Sequence, residues 1–256
     1  MSLRVGAGKS GIHPYGAAAV SAGMLFIVAT VADVVGAGLS RSLLDEPTYP
    51  TDLSAHTTRV AAGAFLEIVA ALACAGIAVA LYPVLRRQNV GLALGSVVFR
   101  TIEAVMYLAG VACLLSVLAL SRRVIGGEVV AGRSIGDSLL DLHQQFSLMG
   151  VFAFCVGAFL YYVVFYRSEL VPRWLSGWGL IAIVLAFVAC VMALFTQNEI
   201  TSYAIMMLPI AVQEMVLAVW LIAKGFDAPA APHIPVTERE SVSAARSGVL
   251  AGQSRL

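Results

Sequence analysis

The amino-acid sequence predicts an all-α polytopic membrane protein, a bundle of six transmembrane helices, and three observations carry that expectation. Of 256 residues, 60% are apolar and only 12% charged, and the mean hydropathy is +0.89. Soluble domains run nearer about 45–50% and 25%. Runs apolar enough to cross a bilayer occur near 16–38, 60–85, 91–120, 146–166, 175–195 and 202–223. Each approaches the ~20 residues that span a hydrocarbon core as a helix. Charged and turn-forming residues collect in the segments between them.

The first run is too long for a signal-peptide core and passes into Asp33 and Gly36 without a clear small-x-small cleavage site, so it is predicted to stay as a helix. Residues 1–15 form a cytoplasmic N-terminal segment in this reading, residues 16–224 the six-helix domain and residues 225–256 a cytoplasmic tail. That tail holds Pro229, Pro232 and Pro235, then Ser, Ala, Glu and Arg without an apolar period, a composition expected to be disordered. An inward N-terminus places Arg4, Lys9, Arg86, Arg87, Arg167, Arg173 and Lys224 on the cytoplasmic side, against Arg41, Arg59, Arg122, Arg123 and Arg133 outside. Positive loops favour the cytoplasm, so both termini are expected there. Tyr82, Tyr161, Tyr162, Tyr166, Trp174 and Trp178 fall near the proposed inner interface, where amphipathic rings are at home. Two longer outer connections, 39–58 with Asp45, Glu46, Pro47, Pro50 and Asp52 and 121–142 with Gly126, Gly127, Gly132 and Gly136, read as turns or short interfacial helices.

Several chemistries lack their sequence signatures. The net charge of +1 supplies no basic field for nucleic acid. No GxxxxGK[ST], GxSxG, HExxH or GxGxxG occurs; Gly6-Ala7-Gly8-Lys9-Ser10 has neither the glycine spacing nor the preceding strand of a phosphate loop. Cys74, Cys113, Cys155 and Cys190 fall on four different predicted helices without a CxxC spacing and read as small packing residues. His13, His56, His143 and His233 are too scattered along the chain to suggest a metal centre or a bis-histidine haem. No cofactor is expected.

The informative residues are the ionisable ones inside apolar runs: Glu67, Arg100, Glu103 and Glu214. Each costs roughly 3 kcal/mol at a helix centre on insertion scales, so a bundle retains it only with a partner, a wet cavity or a function. Arg100 and Glu103 are three apart and share a helix face with Tyr107, so they are expected to pair. One cation against three acids leaves Glu67 and Glu214 as candidates for catalysis. A desolvated acid without a cation can stay protonated near neutrality and serve as a proton donor or carrier. Glu67 lies eight residues beyond Arg59 and Glu214 ten before Lys224, about 12 and 15 Å from the outer and inner surfaces by helical rise. Those depths permit one polar pocket leaning outward, with Asp33, Arg100, Glu103, Tyr107, His143, Gln144 and Gln213 as candidate substrate-binding residues and Gln145 as a further extension. Abundant Gly and Ala, as in Ala61 to Ala64 and Gly150 to Gly157, favour close helix packing.

The segment Val98-Phe99-Arg100-Thr101-Ile102-Glu103-Ala104, the fourth-helix start at Leu142-His143 and the connection Tyr166-Arg167-Ser168-Glu169-Leu170-Val171-Pro172-Arg173-Trp174-Leu175 resemble the bacterial six-helix proteins grouped as domain of unknown function 4386. The resemblance spans roughly residues 15 to 225. It implies a multi-pass protein of the bacterial inner membrane and brings no activity, cofactor or catalytic residue. The buried acids point to a pocket for a lipophilic small molecule, with acid-catalysed isomerisation or cyclisation of an isoprenoid or lipid as its chemistry. Two alternatives remain open: a proton-linked small-molecule transporter, which lacks a visible internal repeat, and a non-catalytic membrane sensor acting through protein partners. The partners this reading implies are the bilayer and a lipophilic ligand, with nucleic acid excluded and protein partners left open.

Overall fold

A computed structural model describes residues 15–44, 56–122 and 129–227. It contains α1 (Gly16–Leu44), α2 (Thr57–Leu85), α3 (Val90–Ser121), α4 (Val129–Ser168), α5 (Arg173–Thr196), a 3-10 turn (Ile200–Tyr203) and α6 (Ala204–Ala223). Six of these helices are long and apolar enough to cross a membrane, and among the described residues there is no strand. The expected terminal segments 1–14 and 228–256 lie outside the described residues, as does the body of the first long connection with Asp45 to Asp52.

Local chemistry sets the helix ends. Asn89 caps α3 by accepting a hydrogen bond from the Leu92 amide at 2.9 Å, satisfying one of the orphan donors of a helix start. Pro172 precedes α5, and its carbonyl takes the Leu175 and Ser176 amides. Its own missing N–H costs nothing there. Gly225, at φ +75°, closes α6 with its amide on the Leu221 carbonyl, a left-handed stop that glycine takes without a Cβ penalty. The Asp227 amide then ties this end to the Leu170 carbonyl at 2.9 Å.

Two connections differ from their sequence reading. The fourth helix begins at Val129, not near 142–146, so most of the second long connection is helical and Gly132 and Gly136 lie within it. Packing supplies the reason: Leu139 and Leu140 rest on a small core of Val60, Ala64, Val111, Leu114, Val117 and Leu118. Tertiary burial of that kind outweighs the roughly 1 kcal/mol penalty of a helical glycine. At 40 residues the helix is about 60 Å long, twice a hydrocarbon core. The first helix likewise runs on to Leu44 rather than ending near 38.

Each helix packs on its chain neighbours, and α1 also packs on α6, so the six form a closed ring in chain order. Small residues make the seams tight. A Cβ on Gly36 of α1 would lie 2.9 Å from the Gly63 carbonyl of α2, and one on Gly23 would lie 2.7 Å from the Ala218 carbonyl of α6. The cysteines follow the packing expectation in part: Cys155 and Cys190 are buried and their thiols meet between α4 and α5.

The ring is filled at one end only. At the end carrying Arg86, Arg167, Arg173 and Lys224, the interior is plugged by Tyr161, Tyr162, Phe165, Leu170 and Leu175, all essentially inaccessible. The Tyr161 and Tyr162 ring centroids lie 4.5 Å apart, with the planes tilted by 52°. These two tyrosines are therefore core residues, not interfacial anchors. Their hydroxyls donate to Glu214 and Gln213 of α6, so they need no contact with the headgroup region. Tyr166 and Trp174, by contrast, are outward-facing as expected.

Candidate functional site

The unfilled half of the ring encloses an open cavity of about 680 Å³. Its deep end is built on α3. Arg100 and Glu103, one helical turn apart and each only 2% exposed, form an ion pair with Nη1 2.8 Å from Oε2, and Nη1 also donates to Oε1 at 3.1 Å. The expected internal pair is thus present. Arg100 is held from the other side by α4: its guanidinium carbon sits 5.0 Å over the Phe154 ring. Gly157 permits this approach, because a Cβ there would lie 3.1 Å from Arg100 Cγ and 3.2 Å from its backbone nitrogen.

The other acids reach the cavity from separate helices. Glu214 comes from α6, where the Tyr161 hydroxyl of α4 donates to its Oε1 at 3.1 Å; Glu67 comes from α2 and Asp33 from α1. Asp33 and Glu67 engage other groups of the protein as well. On the α4 side, His143 places Nδ1 2.9 Å from the Gly110 carbonyl of α3, and the Ser147 hydroxyl donates to the His143 carbonyl. Tyr107 lies against Gly150, whose missing side chain makes room for the ring. Exposed Asp141 and Glu199 also line the cavity, which puts its mouth at the end of the bundle carrying the 3-10 turn. Apolar surface from Phe26, Ile77, Val151, Phe154, Met207 and Ile210 fills in between the polar groups.

Of the residues singled out in the sequence, Asp33, Glu67, Arg100, Glu103, Tyr107, His143, Gln144 and Glu214 border this one space. Gln213 does not. It is fully buried, accepts from the Tyr162 hydroxyl and donates to the Leu175 carbonyl of α5 at 3.0 Å, locking α4, α5 and α6 together. Adjacent helical positions point about 100° apart, so Gln213 and Glu214 cannot both face the centre. Gln145 is exposed and is also absent from the lining.

Sequence reading missed Cys74, Asp141 and Glu199, which line the cavity too. Cys74 is seven residues after Glu67 on α2, two turns along the same face, and that spacing was the available signal. Asp141 and Glu199 gave none, because both stand outside the apolar runs of the sequence, where acids are ordinarily solvated. Among the described residues, no group of three or more His, Cys, Asp and Glu side chains is arranged to hold a metal ion. The acids are spread around a chamber instead of meeting at a point.

No curated protein and no solved structure matches the chain. A family profile does, over residues 21–225, an extent that reaches into all six helices and includes every cavity residue named above. The chain belongs to the family described as Domain of unknown function (DUF4386).

Proposed function

We propose that this protein holds a lipophilic small molecule in its half-open membrane chamber. The observation that carries this reading is the convergence of Asp33, Glu67, Glu103 and Glu214, from four helices, on one cavity of about 680 Å³. That volume is typical of small-molecule sites, which combine apolar walls with a few placed polar groups. The aromatic plug of Tyr161, Tyr162 and Phe165 beneath it favours a chamber with one entrance over a path through the bundle, and so favours binding over transport. Acid-catalysed isomerisation or cyclisation of an isoprenoid or lipid is the chemistry such a chamber suits. It would use Glu67 or Glu214 as proton donor in a water-poor space, with Arg100 and Glu103 as the fixed floor. The bacterial inner membrane, with both termini cytoplasmic, is the setting consistent with the loop charges.

Mass spectrometry of the protein purified from its own membranes tests the reading. Wild type should retain a lipophilic compound near one equivalent, and Ala70→Phe, which projects a ring from α2 into the cavity, should lose it while keeping its thermal unfolding profile. Equal retention by the two proteins would place the compound on the outer surface and sink the proposal. With the compound identified, Glu67→Gln and Glu214→Gln separate acid chemistry from shape. Conversion surviving both changes rules these residues out as proton donors.

A further inference from the structure

We infer that the molecule held in this chamber carries a neutral carbonyl group on its lipophilic body and accepts hydrogen bonds from Arg100. The inference rests on the chamber reading above and adds the chemistry of the ligand's head. On the chamber floor, Glu103 is fully engaged. Arg100 Nη1 reaches its Oε2 at 2.8 Å and its Oε1 at 3.1 Å, and the Cys74 thiol of α2 donates to the same carboxylate. Arg100, which is 2% exposed and borders the cavity, is engaged on one side only. Its Nε makes no hydrogen bond, and among the described residues nothing accepts from Nη2. Nε and Nη2 share one edge of the planar guanidinium and present parallel N–H donors, a fork built for an oxygen acceptor. Phe154 covers a face of the group, 5.0 Å from its central carbon, and so cannot accept in the plane where these N–H groups point.

A buried donor left without an acceptor is costly, and the same ion pair decides which acceptor relieves it. Arg100 and Glu103 cancel in charge, and no second Lys or Arg borders the cavity among the described residues. A carboxylate or phosphate head would therefore bring in a negative charge with no cation to balance it. An ammonium offers only donors and an alkane offers nothing, so both leave the Arg100 edge unmet. A ketone, aldehyde or quinone oxygen accepts from donors near the plane of its C=O and adds no charge. A hydroxyl is the nearest competitor: its oxygen accepts too, but its own proton then needs an acceptor. Above the floor, the Phe26, Ile77 and Val151 side chains receive an alkyl, isoprenoid or aryl body.

The test uses the full chain in nanodiscs of ether-linked phosphatidylcholine, a lipid without net charge or a carbonyl band of its own, and probes of equal carbon number: methyl decyl ketone, dodecane, dodecanol, dodecanoate and dodecylamine. Equilibrium binding at neutral pH should show saturable ketone binding about ten-fold or more tighter than that of any other probe. The infrared C=O stretch of the bound ketone should lie at lower wavenumber than in protein-free nanodiscs, as a carbonyl held by a guanidinium does. Arg100→Met with Glu103→Leu, which removes the donor edge and leaves no charge stranded, should abolish the ketone preference, return the band to its lipid position and leave dodecane binding unchanged. Should that double variant fail to fold, Arg100→Lys, which keeps a cation for Glu103 but lacks Nε and Nη2, replaces it with the same expectation for the ketone. A bound ketone with an unshifted band, a shifted band that survives loss of Arg100, or another probe binding as tightly as the ketone overturns the carbonyl assignment; the chamber still stands if Ala70→Phe abolishes the binding. No saturable binding that Ala70→Phe removes, for any of the probes, overturns both.

Discussion

Arg100 and Glu103 show how differently two ion pairs of similar geometry act in one molecule. Arg173 and Glu169 also approach to 2.7 Å, but their side chains are 65% and 48% exposed, and pairs of that kind contribute about 0–1 kcal/mol. The α3 pair is removed from solvent, so breaking it strands a charge where no water compensates. Arg100→Met alone is expected to destabilise by about 3–5 kcal/mol, whereas Arg100→Met with Glu103→Leu, which removes both charges at similar volume, should recover most of that loss. Reversible unfolding in mixed detergent would measure both variants. A double variant as unstable as the single one would mean that Arg100 is held by packing on Phe154, not by its charge. The pair was legible in the sequence because helical spacing alone puts positions i and i+3 on one face. The Tyr161 contact to Glu214 was not, since nothing in a linear chain aligns two residues 53 positions apart.

At the scale of elements, the spans and their number follow from hydropathy, because a bilayer demands long apolar helices with every backbone group satisfied internally. Their ends follow less well. The start of α4 depends on what Leu139 and Leu140 can pack against, a tertiary fact that hydropathy windows do not contain. The end of α5 is another such case. Gln197 sits there at φ 55°, ψ 26°, a left-handed conformation that costs an ordinary residue roughly 1–2 kcal/mol, and its side-chain amide donates to the Leu194 carbonyl at 2.7 Å. Gln197→Gly relieves the backbone cost and forfeits an exposed hydrogen bond, so it should leave stability unchanged or raise it by a few tenths of a kcal/mol. Gln197→Val, β-branched and unable to cap, should lower stability by about 1–3 kcal/mol. Thermal unfolding of the two variants checks the order, and equal Tm values would show that this turn relaxes without cost.

Over the whole molecule, the cavity is a consequence of closing six helices into a ring. Neighbouring helices approach closely at glycine seams, as the Ala-rich and Gly-rich runs suggested. Close seams around a six-membered ring leave a centre that side chains fill at the tyrosine plug but not at the acidic end. Ring closure itself depends on α1 meeting α6, and Gly23 is where that contact has no slack. A Cβ there would sit 2.7 Å from both the Ala218 carbonyl and Ile222 Cγ1. The Ile222 side chain can rotate away, but the carbonyl belongs to helical backbone and cannot. Gly23→Ala is therefore expected to cost about 1–3 kcal/mol as an overpacking change, and Gly23→Leu to part the two helices at that end. Gly38, whose added Cβ would meet nothing within 4 Å, provides the control. Gly38→Ala should be neutral or stabilising by up to about 1 kcal/mol, as for a helical glycine with room to spare. If ring closure holds the chamber in shape, Gly23→Leu should lower both the unfolding temperature and the amount of lipophilic compound retained, while Gly38→Ala leaves retention at the wild-type level. Undiminished retention by Gly23→Leu would show that the chamber persists without the α1–α6 seam.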